Sequence, residues 1–200
     1  MTEKKTTDFK KYIRGFWKIF IGGLLFICLM FLFASWGFFG ALPTFEELEN
    51  PKSDLATEVI SADGKTLGKY YVKFNRTPIQ YKDLPENLIK ALVATEDERF
   101  YAHSGIDFKG TARAVSKLGA GGGASTITQQ LAKNLFTKKA SSNKLLRLLQ
   151  KFKEWVVATK LERQYTKEEI ITMYLNTQGF LFHATGIRSA ARIYFGKEPR

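Results

Sequence analysis

The run Glu96-Asp97-Glu98-Arg99-Phe100-Tyr101-Ala102-His103-Ser104-Gly105 sets carboxylates, an aromatic ring and a histidine where the residue pattern ends a helix. From Gly123 follows Gly-Ala-Ser-Thr-Ile-Thr-Gln-Gln, a glycine-rich loop opening into a helix with a polar first turn. Carboxylates beside a donor-rich loop suit acid–base chemistry on a polar substrate. Glu96 follows Leu92 by one helical turn, which places it on the buried side of its helix. Desolvation there disfavours the charged carboxylate and makes it a stronger base. Asp97 and Glu98 fall on other faces. Taken alone, such a triplet is more simply a solvated helix end, and His103 a structural hydrogen-bonding residue. The helix start carries Ser125, Thr126, Thr128, Gln129 and Gln130, more donors than the N-cap expected at Ser125 requires. Its free amides and dipole favour a phosphate. No Lys-Ser or Lys-Thr pair follows the glycines, which excludes a P-loop. A second acid, Glu154, has Lys151 three residues before it; by spacing alone this is a helix-surface ion pair. Ser141-Ser142-Asn143-Lys144 has the Ser-x-x-Lys spacing of penicillin-reactive serines, but no Lys-Thr-Gly element accompanies it, and it reads as a helix N-cap.

The elements that must hold these groups are mainly helical. Residues 55–75 read as strand, with Asp63-Gly64 as the turn of a hairpin and Gly68 as the mark of a bulge. After Asp83 everything looks helical. Asp83 is expected to cap a helix with Pro85 in its first turn and Leu88, Leu92 and Val93 on its apolar face. Asp107 caps a short helix that buries Phe108, Ala112 and Val115. Gly119 to Gly123 forms a loop. Ile127, Leu131 and Leu135 line the next helix, and Leu145, Leu149, Phe152, Val156 and Thr159 line a long one. Thr166 and Glu169 make a capping box for a helix bearing Ile170, Met173 and Tyr174. A last helix runs from about Gly186 to Tyr194 and packs through Ala190 and Ala191.

The chain has 200 residues, room for one domain and an anchor, and a net charge of +12. No charged residue occurs between Ile19 and Phe45, and spanning the hydrocarbon takes about 20 apolar residues. A cleaved signal peptide has an apolar core of about 7–15 residues and a small-residue cleavage site, which this stretch does not match. Lys4, Lys5, Lys10, Lys11, Arg14 and Lys18 precede it, and Glu46, Glu47, Glu49 and Asp54 follow. The positive-inside rule puts the N-terminus in the cytoplasm and the rest outside. Trp17 and Trp36 suit the two interfaces. The expected division is a basic cytoplasmic tail (1–18), a transmembrane anchor (19–41), a linker with the hairpin (42–82) and a helical domain (83–200). Outside the membrane, the positive charge points to anionic lipid headgroups or lipid-linked phosphates rather than nucleic acid. The single cysteine, Cys28, excludes an internal disulfide.

Several stretches together resemble the peptidoglycan glycosyltransferase (transglycosylase, glycosyltransferase family 51) domain of class A penicillin-binding proteins and their monofunctional relatives. Glu96, Asp97, Phe100, His103 and Gly105 match the family's first motif. Gly123 to Gln130 match the second, with the usual Lys133 and Asn134 after it. Lys151 and Glu154 match the third, where Gln150 replaces a usual arginine. Ile170 to Asn176 match the fourth, with Thr172 in place of a glutamate. Gly186 to Lys197 match the fifth. The segment Gln178 to His183 departs from the usual turn, with Leu181 where a glycine is common.

The resemblance implies a lysozyme-like helical fold that polymerises lipid II and releases undecaprenyl pyrophosphate with inversion. It implies Glu96 as the catalytic base and Glu154 as a second catalytic residue that positions a divalent metal or the basic cluster, or assists departure of the leaving group. Asp97, Phe100, His103, Ser125, Thr126, Gln130, Lys133 and Lys151 are implied as substrate-binding residues. A divalent cation, Mg or Mn, at the pyrophosphate is a further expectation, as are a growing glycan strand, the membrane and a cell-wall synthesis complex as partners. The apolar, Phe-rich Phe180-Leu181-Phe182 suits either the bilayer or packing. A lysozyme-like hydrolase shares the two carboxylates and the helical fold, but a neutral glycan does not need the second motif or the basic residues. An inactive membrane-anchored scaffold is the non-enzymatic alternative.

Overall fold

The computed structural model describes residues 9–44, 57–64, 66–70, 75–117, 123–137, 141–182 and 184–199. Expectations for Lys4, Lys5, Glu46, Glu47, Glu49, Asp54, His183 and most of the Gly119–Gly123 loop lie outside these residues.

The domain is mainly α-helical with a small hairpin, and one long apolar helix precedes it. That helix, α1 (Phe9–Ser35), spans 27 residues and contains an 18-residue stretch with a mean hydropathy of 2.3, long and apolar enough to cross a membrane. It starts ten residues before the apolar run, so Lys10, Lys11, Arg14 and Lys18 belong to the helix rather than to a separate tail. Lys and Arg are good helix formers and nothing breaks the chain between them. The helix stops at Ser35, ahead of the expected end at Ala41, in a turned segment that includes left-handed Gly37 and Gly40. Trp17 and Trp36 are exposed and 19 residues apart, about 28 Å along a helix, close to the hydrocarbon thickness.

β1 (Thr57–Ile60) and β2 (Thr66–Tyr70) pair antiparallel around the Asp63-Gly64 turn, where Gly64 has φ +79°. The bulge falls beside Gly68, which itself pairs with Val59; the register shifts between Val59 and Ile60. β3 (Asn75–Arg76) pairs in parallel with β4 (Ala184–Thr185).

The helices are α2 (Glu86–Glu96), α3 (Phe108–Ser116), α4 (Ile127–Phe136), α5 (Lys144–Gln164), α6 (Lys167–Thr177) and α7 (Ile187–Phe195). The core lies between α4, α5 and α6, where Ile127, Leu131, Ala158, Leu161, Ile170 and Ile171 are fully buried. A second cluster docks the end of α1 on α5: Ala34 is buried, and Phe31 packs edge-on to Phe152 and stacks on Trp155. The end of the long apolar helix is therefore also a packed part of the domain.

Several local expectations need correction. Asp83 ends a 3-10 turn (Tyr81–Asp83), and Pro85 is the N-cap of α2, because its ring presets the extended entry and needs no donor. Phe108, Ala112 and Val115 are exposed; α3 is instead seated through buried Gly110, over the side chains of Asp107 and Arg99. Leu145 is also exposed, since the first turns of α5 run clear of the core. Asp107, Thr166 and Glu169 cap as expected, the last two as a reciprocal capping box.

Asn176 pins α6 to the chain before α2. Its Oδ1 accepts from Ile79 N and its Nδ2 donates to Ile79 O, both at 2.9 Å. Asn176→Ala removes both partners from a part-buried backbone pair, so a loss of about 1–3 kcal/mol is expected, read as a lower unfolding midpoint by circular dichroism.

The turn after α6 is closed by the backbone. Phe180 N donates to Ala184 O, Ala184 N to Leu181 O, and Gly186 N to Gln178 O. Leu181 stands where a glycine is common, yet the left-handed residue is Phe182, at φ +54°. Tyr194 holds that strained residue by donating to Leu181 O and by edge-on contact with the Phe182 ring. Leu181 and Phe182 are exposed.

Candidate active site

Glu96 is the last residue of α2, and Asp97 leaves the helix with φ −159°. That break reverses the expected burial of the two acids. Glu96 is exposed, and Asp97, at 7% exposure, is the buried one. Extending the helical phase from Leu92 fails because the helix stops where the phase would have mattered. Asp97 Oδ2 accepts the backbone N–H of Ile127 at 3.0 Å, and both Asp97 oxygens lie 3.1 Å from His103 Nε2. The buried acid thus satisfies the start of α4 and ties the first motif to the second.

The start of α4 is not an open anion site. Thr126, not Ser125, is the N-cap: its Oγ1 accepts Gln129 N and donates to Gly105 O. Gln129 Nε2 also donates to Gly105 O, and Thr128 donates to Glu162. Gly105 has φ +87°, and a Cβ there would sit 3.0 Å from the Ala158 backbone, so only glycine lets this strand of the site approach α5. Most of the dense donor set is consumed in joining α4 to its neighbours. Ser125 and Gln130 remain for the cleft.

Beneath these residues lies a packed floor. Phe100 is fully buried, with Lys167 Nζ 4.2 Å above its ring centroid. Lys167 also donates to His103 O and to Glu162. Phe100 and His103 therefore support the site from below rather than line it.

Glu154 is also buried, at 1% exposure, where spacing alone suggested a surface pair. Its Oε1 meets Arg147 at 2.8 Å and its Oε2 meets Lys151 at 3.1 Å. Lys151 donates onward to Ser125 Oγ at 3.1 Å. Arg147 was not anticipated, although it precedes Glu154 by two helical turns on the same face. Gln150, at the position of a usual arginine, accepts from Ser141 N and Arg147, so a guanidinium still reaches this cluster from one turn earlier.

Glu96, Asp97, Glu98, Arg99, Ser125 and Thr126 line a polar cleft of about 270 Å³, with Arg113 and Asp107 on its other wall. Gln130 joins it by donating to Glu96 Oε2 at 2.7 Å, and Lys151 and Glu154 join through Ser125. Lys133, half-buried on α4, does not line it. Both carboxylate oxygens of Glu154 face cations, and no group of three His, Cys, Asp or Glu residues converges among the described residues. Among the described residues, the side chains around Glu154 do not fit a protein-held metal.

Tyr174, 4% exposed on α6, donates to Gln130 Oε1 at 3.2 Å. Burial first, and the charge of Glu96 second, push the phenol up to about 12. Between the ordinary value of 10 and 12, the folded chain keeps a proton that the unfolded chain has lost. Stability therefore falls as pH rises through that window, and Tyr174→Phe is expected to flatten the fall, read from unfolding midpoints on either side of pH 10.

A family model described as Transglycosylase matches residues 63–200. The chain is 38% identical over 184 residues to Penicillin-binding protein 1A of Haemophilus influenzae, covering 90% of this chain and 20% of that protein. It is 39% identical over 160 residues to Penicillin-binding protein 1A of Escherichia coli, covering 78% and 18%. It is 40% identical over 149 residues to Penicillin-binding protein 1F of Bacillus subtilis, covering 72% and 20%. The chain spans about a fifth of the length of these curated relatives.

Proposed function

The chain belongs to the transglycosylase family, and on that premise we propose that it is a peptidoglycan glycosyltransferase that polymerises lipid II. The observation that carries this reading is the cleft itself: an exposed, oriented carboxylate at Glu96, joined through Ser125 to the cation pair Arg147 and Lys151.

Glu96 takes the proton of the acceptor 4-hydroxyl as that oxygen attacks the anomeric carbon of the donor. The bond from that carbon to the pyrophosphate oxygen breaks, its electron pair leaves with undecaprenyl pyrophosphate, and the anomeric centre inverts. Glu96 later returns its proton to water. A sugar hydroxyl is a poor nucleophile, and a positioned carboxylate is a suitable base for it. Exposed as it is, Glu96 would be desolvated by the bound sugar rather than by the protein. Lys151 and Arg147 are placed to meet the charge that develops on the leaving pyrophosphate, which is electrostatic stabilisation of the transition state. Ser125 adds a hydroxyl. Glu154 holds both cations in place, and Lys133 is a further cation on the same helix as Gln130. Asp97, Phe100, His103 and Thr126 act by fixing the walls. A divalent ion, Mg or Mn, would arrive on the pyrophosphate, since hard oxygen ligands suit it there.

The apolar α1 anchors the domain to the cytoplasmic membrane in a single pass. Its basic N-terminal end lies in the cytoplasm and the catalytic domain outside, where lipid II, the growing glycan strand and a cell-wall synthesis complex are its partners. Incubating the full chain with lipid II in detergent tests the reading. Glycan polymer with release of undecaprenyl pyrophosphate supports it; degradation of sacculi without synthesis would replace it with a hydrolase.

A further inference from the structure

We infer that Tyr174 is a positioning residue for the base: through Gln130 it fixes which oxygen of Glu96 is presented to the acceptor hydroxyl. This rests on the reading of Glu96 as the base.

Glu96 stands at the C-terminal end of α2, where the helix dipole does not favour a negative charge and the side chain is exposed. Left alone, such a carboxylate samples several rotamers. One hydrogen bond restrains it: Gln130 Nε2 donates to Oε2 at 2.7 Å. Among the described residues Oε1 has no hydrogen-bond partner, so it is the oxygen left for substrate.

A glutamine can turn either end of its amide to a neighbour. Turned the other way, Gln130 would set its carbonyl against the carboxylate and repel it. The Glu96 carboxylate, which can only accept, takes the amide nitrogen, and Tyr174, donating to Gln130 Oε1, holds the far end of the same amide and so fixes where that nitrogen stands. Its ring is buried in the core formed by α4, α5 and α6, so the donor is held by packing and not by a mobile side chain. The phenol keeps its proton throughout the neutral range and remains a donor there. The relay thus runs from a rigid core position on α6, through α4, to an exposed acid on α2. Among the described residues, none covers the acid itself.

Removing only the hydroxyl with Tyr174→Phe leaves the ring packed. The expected result is a fall in kcat of roughly tenfold, the scale on which misplaced catalytic groups lose rate. KM for lipid II should stay within about twofold, because substrate binding is not the step affected. In a Gln130→Leu background Tyr174→Phe should add no further loss, since its effect passes through that amide. An unchanged kcat in Tyr174→Phe would overturn the inference, as would a loss that adds fully to that of Gln130→Leu. Glu96→Gln run alongside separates the two levels. If Glu96→Gln retains activity, the base reading fails. If it is inactive while Tyr174→Phe matches the parent chain, the relay fails alone. Unfolding midpoints of all variants, taken in the same detergent, identify any loss that comes from unfolding.

Discussion

Glu96→Gln is expected to lower polymerisation of lipid II by about 10²–10⁴-fold, the usual contribution of a positioned general base, with the unfolding midpoint nearly unchanged. The two halves of that expectation come from the same observation. Glu96 is exposed at the end of α2, so its charge contributes little to the fold. Its single restraint, the hydrogen bond from Gln130, is one that an amide at position 96 can still accept. The substitution therefore removes proton acceptance and little else. Polymer formation is read by separating glycan strands from lipid II, and folding by circular dichroism. Retained polymerisation would remove Glu96 from the mechanism. Lost folding would mean that its role is structural after all.

Asp97→Ala is expected to do the opposite, costing about 3 kcal/mol of stability and taking activity with it. Asp97 is buried and accepts from two directions, from the Ile127 amide that opens α4 and from the ring of His103. Truncation strands both partners away from water. It also frees the start of α4, which carries Ser125 into the cleft and Gln130 to Glu96. Asp97→Asn keeps the shape and one acceptor oxygen, so a smaller loss is expected. Thermal unfolding of both variants in detergent checks the ranking. An Asp97→Ala variant as stable as the parent would show that α4 needs no cap from this side chain.

These two adjacent acids also show where the sequence misleads. Both belong to the first motif, Glu96 singled out by helical phase and Asp97 by the family resemblance. Which of them is buried runs opposite to the helical phase carried from Leu92, because α2 ends at Glu96 and Asp97 leaves the helix. A similar error put Phe108 and Val115 inside, although the site seats α3 through Gly110. In each case the periodicity is real, but which side of a short helix meets the core depends on neighbours far away in sequence.

The donor-rich start of α4 gives the same lesson from polar residues. Thr126, Thr128 and Gln129 look like ligand-binding groups, yet their partners are Gly105, Glu162 and each other's backbone. Hydrogen-bonding capacity is a property of residue type; whether it is spent inside or left for a ligand is a property of packing. Glu154 passed for a surface pair for the same reason. The i, i+3 spacing to Lys151 is present, but the burial that makes the pair costly, and the second cation that offsets it, become visible only when Arg147 is seen beside them.

By itself the sequence determined the apolar helix at the N-terminus, the hairpin at Asp63-Gly64, the mainly helical domain and the capping box of Thr166 and Glu169. Those features are local: composition, turn chemistry and spacing along one helix decide them, and no distant residue can undo them. The tertiary structure alone decided that Glu96 faces solvent while Asp97 is buried, and that the end of α1 packs on α5. It alone decided that Arg147 stands in for the missing arginine, and that Tyr174 reaches Glu96 through Gln130. Each of these joins residues far apart in the chain or one to two turns apart on a helix. Their free energies depend on desolvation and on partners that only the folded arrangement brings together.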